Sequence, residues 1–359
     1  MSQFHPLRVS DCYKETRDTV VVTFDIPEDR RGVFRFIQGQ HLTLLTRIDG
    51  EEVRRSYSIC SAPNEGTVRI AIKHVSDGLF SHWANTTLKA GDVIQVMPPS
   101  GQFHVPLQPD SARHHVAFAV GSGITPVISI IKATLAAEPQ SRFTLFYGNR
   151  ASSSVIFKGE LADLKDRYLE RFNLVFILSR EHLDIDLFNG RIDSAKCEAL
   201  LKHWLKPEDI DVAYICGPQS MTEQVVASLE SAGVDRRRVK TELFGTEMPA
   251  VRRSRPLQVE AHTQDECAVT LIQDGHTREF QIQRHRDSVL DEALKQGIEL
   301  PYSCKGGVCS TCRCKVIDGE VDMDVNFALE DYEVARGFIL ACQSYPVSEC
   351  LVLDFDQES

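Results

Sequence analysis

Three cysteines, Cys304, Cys309 and Cys312, stand in the string PYSCKGGVCSTC, and a fourth, Cys342, follows in ILACQ. The spacing C-x4-C-x2-C with a remote fourth cysteine is the ligand pattern of a [2Fe–2S] cluster, because four thiolates must converge on two irons from one tight loop and one distant strand. Any fold of this chain must therefore curl that loop and carry Cys342 back against it. Gly306 and Gly307 permit the wrapping, since residues without a β-carbon adopt the turns it demands. A zinc knuckle is the competing reading, although structural zinc sites use short paired C-x2-C knuckles. A cluster of this kind takes one electron at a time, so the rest of the chain has to supply electrons.

Charge separates the cysteine region from the remainder. Residues 265–359 carry 19 Asp/Glu and 8 Lys/Arg, a net of −11, whereas residues 1–264 carry 32 of each. An acidic balance argues against nucleic acid, whose phosphates demand Lys and Arg. The local acidity fits either a partner with a basic docking face or simple solubility. At 359 residues the chain exceeds what one hydrophobic core supports, so several domains are expected. The longest apolar stretch, Val116 to Ile131, is broken by Gly121, Gly123 and Pro126, and no membrane span is expected. The N-terminal string MSQFHPLRVS lacks a signal-peptide pattern, and eleven cysteines, four of them bunched as ligands, suit a reducing cytoplasm.

Residues 1–109 read as short alternating strands (LRVSDCY, TVVVTFDI, HLTLLTRI, EVRRSYSIC, TVRIAIKHV, DVIQVMP) with one helix near Phe80 to Leu88, the pattern of an antiparallel β-barrel. Residues 110–246 alternate apolar strands with helices, which predicts an α/β domain with a parallel sheet. There Thr125 and Pro126 are expected to cap and open the first helix. Residues 247–264, with Arg252, Arg253 and Arg255, read as a linker. Residues 265–359 begin with a hairpin around Asp274-Gly275, continue through a helix from Ser288 to Lys295 and the cysteine loop, and end on the strand CLVLDFD, an α+β module.

Two strand-to-helix junctions carry chemistry. GSGITP, from Gly121 through Ser122, Gly123 and Thr125 to Pro126, offers close backbone approach and free helix N–H groups to a phosphate. Cys216-Gly217-Pro218 opens a second helix at the same sheet edge, and two such junctions favour a dinucleotide. On a barrel strand, Arg55-Ser56-Tyr57-Ser58 brings a cation, an aromatic face and hydroxyls that suit a flat ring and a phosphate. His114-His115 opens a strand and reads as structural. No nucleophile–base constellation stands out.

A barrel with RxYS followed by a sheet with GSGITP and CGP resembles the ferredoxin–NADP reductase superfamily. With a C-terminal plant-type, β-grasp-like ferredoxin module, the chain is similar over nearly its whole length to the one-chain reductases of multicomponent oxygenases. The segments GQHLTL, GEEVRRSYSIC, LFYGNR, GRID and PYSCKGGVCSTCRCKV carry the resemblance furthest, toward the reductases of di-iron epoxidases. It implies that Arg55, Tyr57 and Ser58 bind FAD, with Ser58 near the flavin N5. Ile72 and Lys73 would form a second flavin motif, and Gly78, Leu79, Phe80 and Ser81 would hold the FAD pyrophosphate. Gly121 to Pro126 would take the nicotinamide cofactor's phosphates, and Cys216, Gly217 and Pro218 its nicotinamide end. Cys216 is equally readable as a small buried residue, and Phe244 either covers the flavin or fills the core.

Ser179-Arg180 falls where related NADP-dependent reductases bind the 2′-phosphate, which favours NADPH over NADH, although Glu181 follows directly. Arg150 and Arg191 are helpers there or surface charges. The ligands implied for the cluster are Cys304, Cys309, Cys312 and Cys342, with Cys12, Cys60, Cys197, Cys267, Cys314 and Cys350 as non-ligands. NADPH gives two electrons as hydride, the cluster takes one, and a flavin can handle both. The expected partner is a separate oxygenase component, a di-iron epoxidase complex first. The reductase of a 3-ketosteroid or aromatic-ring hydroxylase is the alternative within the class, and a redox-sensing or electron-carrying protein without turnover the alternative outside it.

Overall fold

The computed structural model describes residues 4–245 and 266–357. The linker read at 247–264, with its three arginines, lies outside the described residues. The chain divides into two compact units, one from Phe4 to Phe244 and one beyond it.

The first unit opens with β1 (His5–Thr16), β2 (Thr19–Asp25), β3 (His41–Ile48), β4 (Glu51–Ser58), β5 (Val68–Lys73) and β6 (Val93–Val96), joined in the order β4-β3-β6-β1-β2-β5 by antiparallel ladders. A bridge between Ile59 and Ile70, with Cys60 N–H donating to Arg69 O at 2.8 Å, brings the two edges together and closes the barrel. Helix α1 (Leu79–Thr86) packs Phe80 and Ala84 into its core. Alternation along TVVVTFD turns Val20, Val22 and Phe24 into the barrel. Val21 faces the other way, with Ala71 and Phe103, into a second cluster that it shares with the next domain. Burying one such valine contributes about 1.5–3 kcal/mol. A continuous apolar core thus makes barrel and sheet a single unit.

That sheet comprises β7 (His114–Val120), β8 (Arg142–Asn149), β9 (Phe172–Leu178), β10 (Val212–Cys216) and β11 (Val239–Glu242), all parallel in the order β11-β10-β7-β8-β9. Helices α2 (Ile124–Ala137), α3 (Lys158–Arg167), α4 (Ser194–His203) and α5 (Gln219–Ser231) connect the strands. The chain starts in the middle at β7, runs out to β9 and returns to β10, so strand order reverses between β7 and β10. Open α/β sheets bind ligands at that switch point, outside the carboxyl ends of the strands.

The start of α2 corrects the expectation for Thr125 and Pro126. Gly121–Gly123 form a turn of 3₁₀ helix, α2 begins at Ile124 with Gly123 as its cap, and Thr125 Oγ1 donates to Ser122 O at 3.0 Å. Proline is accommodated two positions deeper than expected because the first four helical N–H groups lack intrahelical acceptors in any case.

The second unit folds as β12 (Glu266–Gln273), β13 (His276–Gln283), α6 (Val289–Lys295), β14 (Arg313–Asp318), β15 (Val321–Met323), α7 (Asp331–Ala335), β16 (Phe338–Leu340), β17 (Ser344–Pro346) and β18 (Cys350–Asp354). Its main sheet runs β13-β12-β18-β14-β16, with β12 and β18 parallel, and β15 pairs with β17 separately. The hairpin turn is as expected, with Asp274 and Gly275 both at positive φ (52° and 72°), the geometry that matches strand twist. Strands β15, β16 and β17 escape sequence reading because three residues are too few to display a period. Among the described residues, no helix is long and apolar enough to cross a membrane.

Candidate functional site

The carboxyl ends of β10 and β11 meet the end of barrel strand β4. Ser58 is 4% exposed, and its Oγ donates to Glu242 Oε2 at 3.1 Å. Cys216 lies opposite Glu242 in the β10–β11 register. Burial, reinforced by the neighbouring Glu242, holds the Cys216 thiol well above its ordinary value. Burial raises the Glu242 carboxyl to about 8, against the hydrogen bond from Ser58, which favours the charged form. Near neutral pH this carboxyl is protonated. Glu242 was not anticipated from the sequence; an acidic residue on the last parallel strand, at the same edge as CGP, was the available signal.

Gly123 presses against the end of β10 so closely that a β-carbon there would collide with the Cys216 carbonyl. Tyr147, buried under the turn, donates its hydroxyl to Gly121 O at 2.9 Å. From the barrel side, Lys73 reaches over this turn: its Nζ is 3.8 Å from where a Gly121 β-carbon would stand, and 3.7 Å from Asp18. Ile72 is fully buried beside it. The turn is therefore lined by backbone N–H groups, one ammonium and no carboxylate from its own residues, which suits a pyrophosphate.

The flavin-motif residues spread along β4. Arg55 is exposed and donates to Arg54 O, while Tyr57 is half-buried with its ring 5.5 Å from Phe80. Burial raises the Tyr57 phenol, so it stays neutral. Ser81 Oγ accepts from Val75 N–H and donates to Gly78 O, closing the turn before α1. The hydroxyl is thus engaged in shaping the loop, and the orphan N–H groups at the start of α1 are what this turn presents. Phe244 is 47% exposed, which rules out the core-aromatic reading.

At the far end of the same edge, Ser179 and Arg180 are exposed beyond β9. Three strand spacings, about 14 Å, separate β10 from β9, a span suited to an extended dinucleotide. Glu181 does not share that opening: its carboxylate accepts from Ser152 N–H at 2.7 Å and from Ser152 Oγ, and these bonds hold it below its ordinary value. Arg150 and Arg191 are exposed. Only Arg150 is tied to Arg180, its carbonyl accepting the Arg180 N–H at 2.7 Å.

In the second unit, Lys305, Gly307 and Ser310 all take positive φ and curl the cysteine loop. Gly307 is obligatory, since a β-carbon would also stand 2.9 Å from Val325 O. The remote cysteine is stapled to the loop: Gln343 Nε2 donates to Lys305 O at 2.9 Å, and Ala341 N–H donates to Cys312 O at 3.0 Å. Gln343 was not foreseen. Cys309, Cys312 and Cys342 are 9%, 3% and 5% exposed. The thiols meet in pairs, Cys304 with Cys309 and Cys312 with Cys342. Cys304 is lowered to about 6 by the Cys309 thiol and by N–H groups of Gly306, Val308 and Cys309 turned toward its sulfur. Among the described residues no three His, Cys, Asp or Glu groups converge on a single ion position. Two adjacent pairs suit two irons with two thiolates each. Cys314 is buried on β14, and Cys350 is exposed.

A closed barrel, a parallel sheet with its switch point against that barrel, and a four-thiol loop define an oxidoreductase that joins a two-electron donor to a one-electron carrier. Residues 6–105 match the oxidoreductase FAD-binding domain family, residues 118–227 the oxidoreductase NAD-binding domain family, and residues 271–347 the 2Fe-2S iron-sulfur cluster binding domain family. The chain belongs to the ferredoxin–NADP reductase-type oxygenase reductases that carry a 2Fe–2S domain, and it is an NAD(P)H-dependent oxidoreductase. It is 43% identical over 356 residues, 99% of both chains, to a 1,2-phenylacetyl-CoA epoxidase subunit of Escherichia coli strain K12. It is 32% identical over 354 residues, 97% of this chain and 96% of the relative, to the ferredoxin reductase component of 3-ketosteroid-9-alpha-monooxygenase from Rhodococcus rhodochrous. The solved structure of phthalate dioxygenase reductase covers 98% of both chains with a TM-score of 0.60 and 25% identity.

Proposed function

We propose that this chain is the reductase component of a phenylacetyl-CoA epoxidase-type oxygenase, drawing on NADPH and serving a separate di-iron partner. The observation that carries the electron-transfer reading is the convergence of Ser58, Glu242 and Cys216 where barrel and sheet meet at the switch point. The full-length similarity to the epoxidase component supports the choice of oxygenase. The acidity of residues 265–359 supports a basic docking face on the partner. The test is reconstitution: with NADPH and a purified di-iron epoxidase, the chain sustains substrate oxidation, and failure there with success on a ketosteroid hydroxylase overturns the assignment.

FAD held here would supply the exchange between a two-electron hydride donor and a one-electron [2Fe–2S] acceptor. Arg55, Tyr57 and Ser58 hold the flavin, with Ile72 and Lys73 beside it and Gly78, Leu79, Phe80 and Ser81 at its pyrophosphate. Gly121, Ser122, Gly123, Thr125 and Pro126 cradle the nicotinamide cofactor's phosphates. Cys216, Gly217 and Pro218 seat the nicotinamide, and Phe244 flanks the flavin. Cys304, Cys309, Cys312 and Cys342 ligate the cluster.

The O–H of a protonated Glu242 reverses the bond from Ser58, donating to the Ser58 oxygen, and the Ser58 hydroxyl is then free to donate to the flavin ring. An ionised Glu242 only accepts, and captures that hydroxyl. The limiting rate of flavin reduction is therefore expected to fall as pH rises through about 8. Glu242→Gln, which keeps both donor and acceptor, flattens the profile. An unchanged inflection in that variant assigns the titration elsewhere.

Engagement of Glu181 by Ser152 leaves Arg180 as the charge presented at the nucleotide's ribose, which supports NADPH. Arg180→Glu is expected to lower the ratio of kcat/KM for NADPH over NADH by about 10–100-fold, since a carboxylate repels a 2′-phosphate and accepts from ribose hydroxyls. A ratio unmoved by this change removes Arg180 from cofactor choice.

A further inference from the structure

A charged knot joins the barrel to helices α2 and α3, away from every residue assigned above. Lys132, on α2, is 7% exposed. Its Nζ lies 3.1 Å from Glu65 Oε1, contacts Glu160 Oε1 on α3, and donates to Cys60 O at 3.3 Å. Arg69, on β5, closes the ring with Nη2 2.8 Å from Glu160 Oε1 and 3.9 Å from Glu65 Oε2. One turn earlier on α2, Ser129 Oγ donates to Ser61 O at 2.7 Å. Separately, barrel residue Glu15 accepts from Phe157 N–H at 2.8 Å at the start of α3.

The two ends of this knot lead directly to the two halves of the site. Cys60 and Ser61 continue the strand that carries Ser58. Lys132 stands eight residues into the helix that leaves the Gly121–Gly123 turn, about 12 Å along its axis. Apolar contact already covers this interface through Val21, Ala71, Ile128 and Ile131, and the hydrophobic term, being non-directional, by itself tolerates changes of relative orientation. Two cations sharing two carboxylates do not, because each departure leaves a partly buried charge unpaired.

We propose that Lys132, with Glu65, Arg69 and Glu160, is a positioning clamp that sets how the dinucleotide turn approaches the Ser58 strand, and so the distance over which hydride moves. Lys132 touches neither cofactor, and its effect passes through α2 and residues 60–61. This rests on hydride transfer at the Ser58–Cys216 junction, and it adds the device that holds the junction in register.

The test uses the holoenzyme in anaerobic single-turnover mixing with NADPH and with NADPH deuterated at the transferred position. For Lys132→Met, FAD content and cluster absorption are unchanged, the Kd for NADPH stays within about twofold, and the limiting rate of flavin bleaching falls by about 10–100-fold with the isotope effect retained. Lys132→Arg restores the rate to within about threefold. Amide hydrogen exchange over residues 60–69 and 124–137 is faster in Lys132→Met. A limiting rate equal to wild type, or a loss that disappears once FAD content is normalised, overturns the clamp. If Lys132→Met fails to retain FAD, Glu160→Gln, which leaves Lys132 its Glu65 partner, is judged by the same criteria. Wild-type protein that no nicotinamide nucleotide bleaches would overturn the hydride reading itself, whereas bleaching of wild type and Lys132→Met at one rate overturns the clamp alone.

Discussion

Cys309→Ser protein keeps flavin reduction by NADPH within about threefold of wild type and loses electron delivery to the oxygenase by about 100-fold or more. Serine's hydroxyl stays protonated near neutral pH and cannot replace a thiolate on iron. Cys309 is paired with Cys304 in the structure, so its loss strips one of the two thiolates proposed for one iron. The flavin and nucleotide residues lie in the other compact unit, which the substitution leaves intact. Absorption and electron paramagnetic resonance report the cluster, and anaerobic mixing reports the flavin. Normal electron delivery by this variant would remove Cys309 from the route.

The second large effect belongs to Gly123. Gly123→Ala places a β-carbon against the backbone carbonyl of Cys216, and a strand end cannot yield as a flexible side chain would. The turn must lift away from β10, costing about 1–3 kcal/mol of stability. The same displacement moves the turn proposed to hold the nucleotide's phosphates away from the proposed nicotinamide seat, so kcat/KM for NADPH is expected to fall by about 100-fold. Gly159→Ala is the control: nothing lies within 4 Å of its added β-carbon, and alanine favours the helix by up to about 1 kcal/mol. Equal behaviour of the two variants in thermal unfolding and NADPH titration would mean that the Gly123 contact is unimportant.

Much of the architecture was legible because its signals are local. The β-branched run in TVVVTFD marks a strand whichever way it is later packed, and GSGITP and CGP read as junctions because glycine frees and proline fixes the backbone wherever they occur. The boundary of α2 was misjudged by two residues because proline is tolerated throughout the first turn. The three-residue strands of the second unit were invisible because their pairing partners, not their composition, make them strands.

Residues that matter through a distant partner were illegible. Glu242 is an ordinary acidic residue until the end of β11 brings it to Ser58, across the whole first unit. Lys132 reads as a helix-surface charge in KATLAAE, yet the barrel covers it and surrounds it with carboxylates. Gln343 looks incidental beside Cys342 until its amide is seen holding Lys305 O.

Sequence alone therefore marked the parts of this protein: a four-cysteine loop from its spacing, a glycine turn at a strand end, a barrel strand bearing RSYS, and one acidic module. Those follow from bond geometry and ligand chemistry within a few residues. Only the tertiary structure decided which groups are neutral, paired or in contact at the junction, because burial and Coulomb interaction depend on distances between segments that the linear chain leaves free.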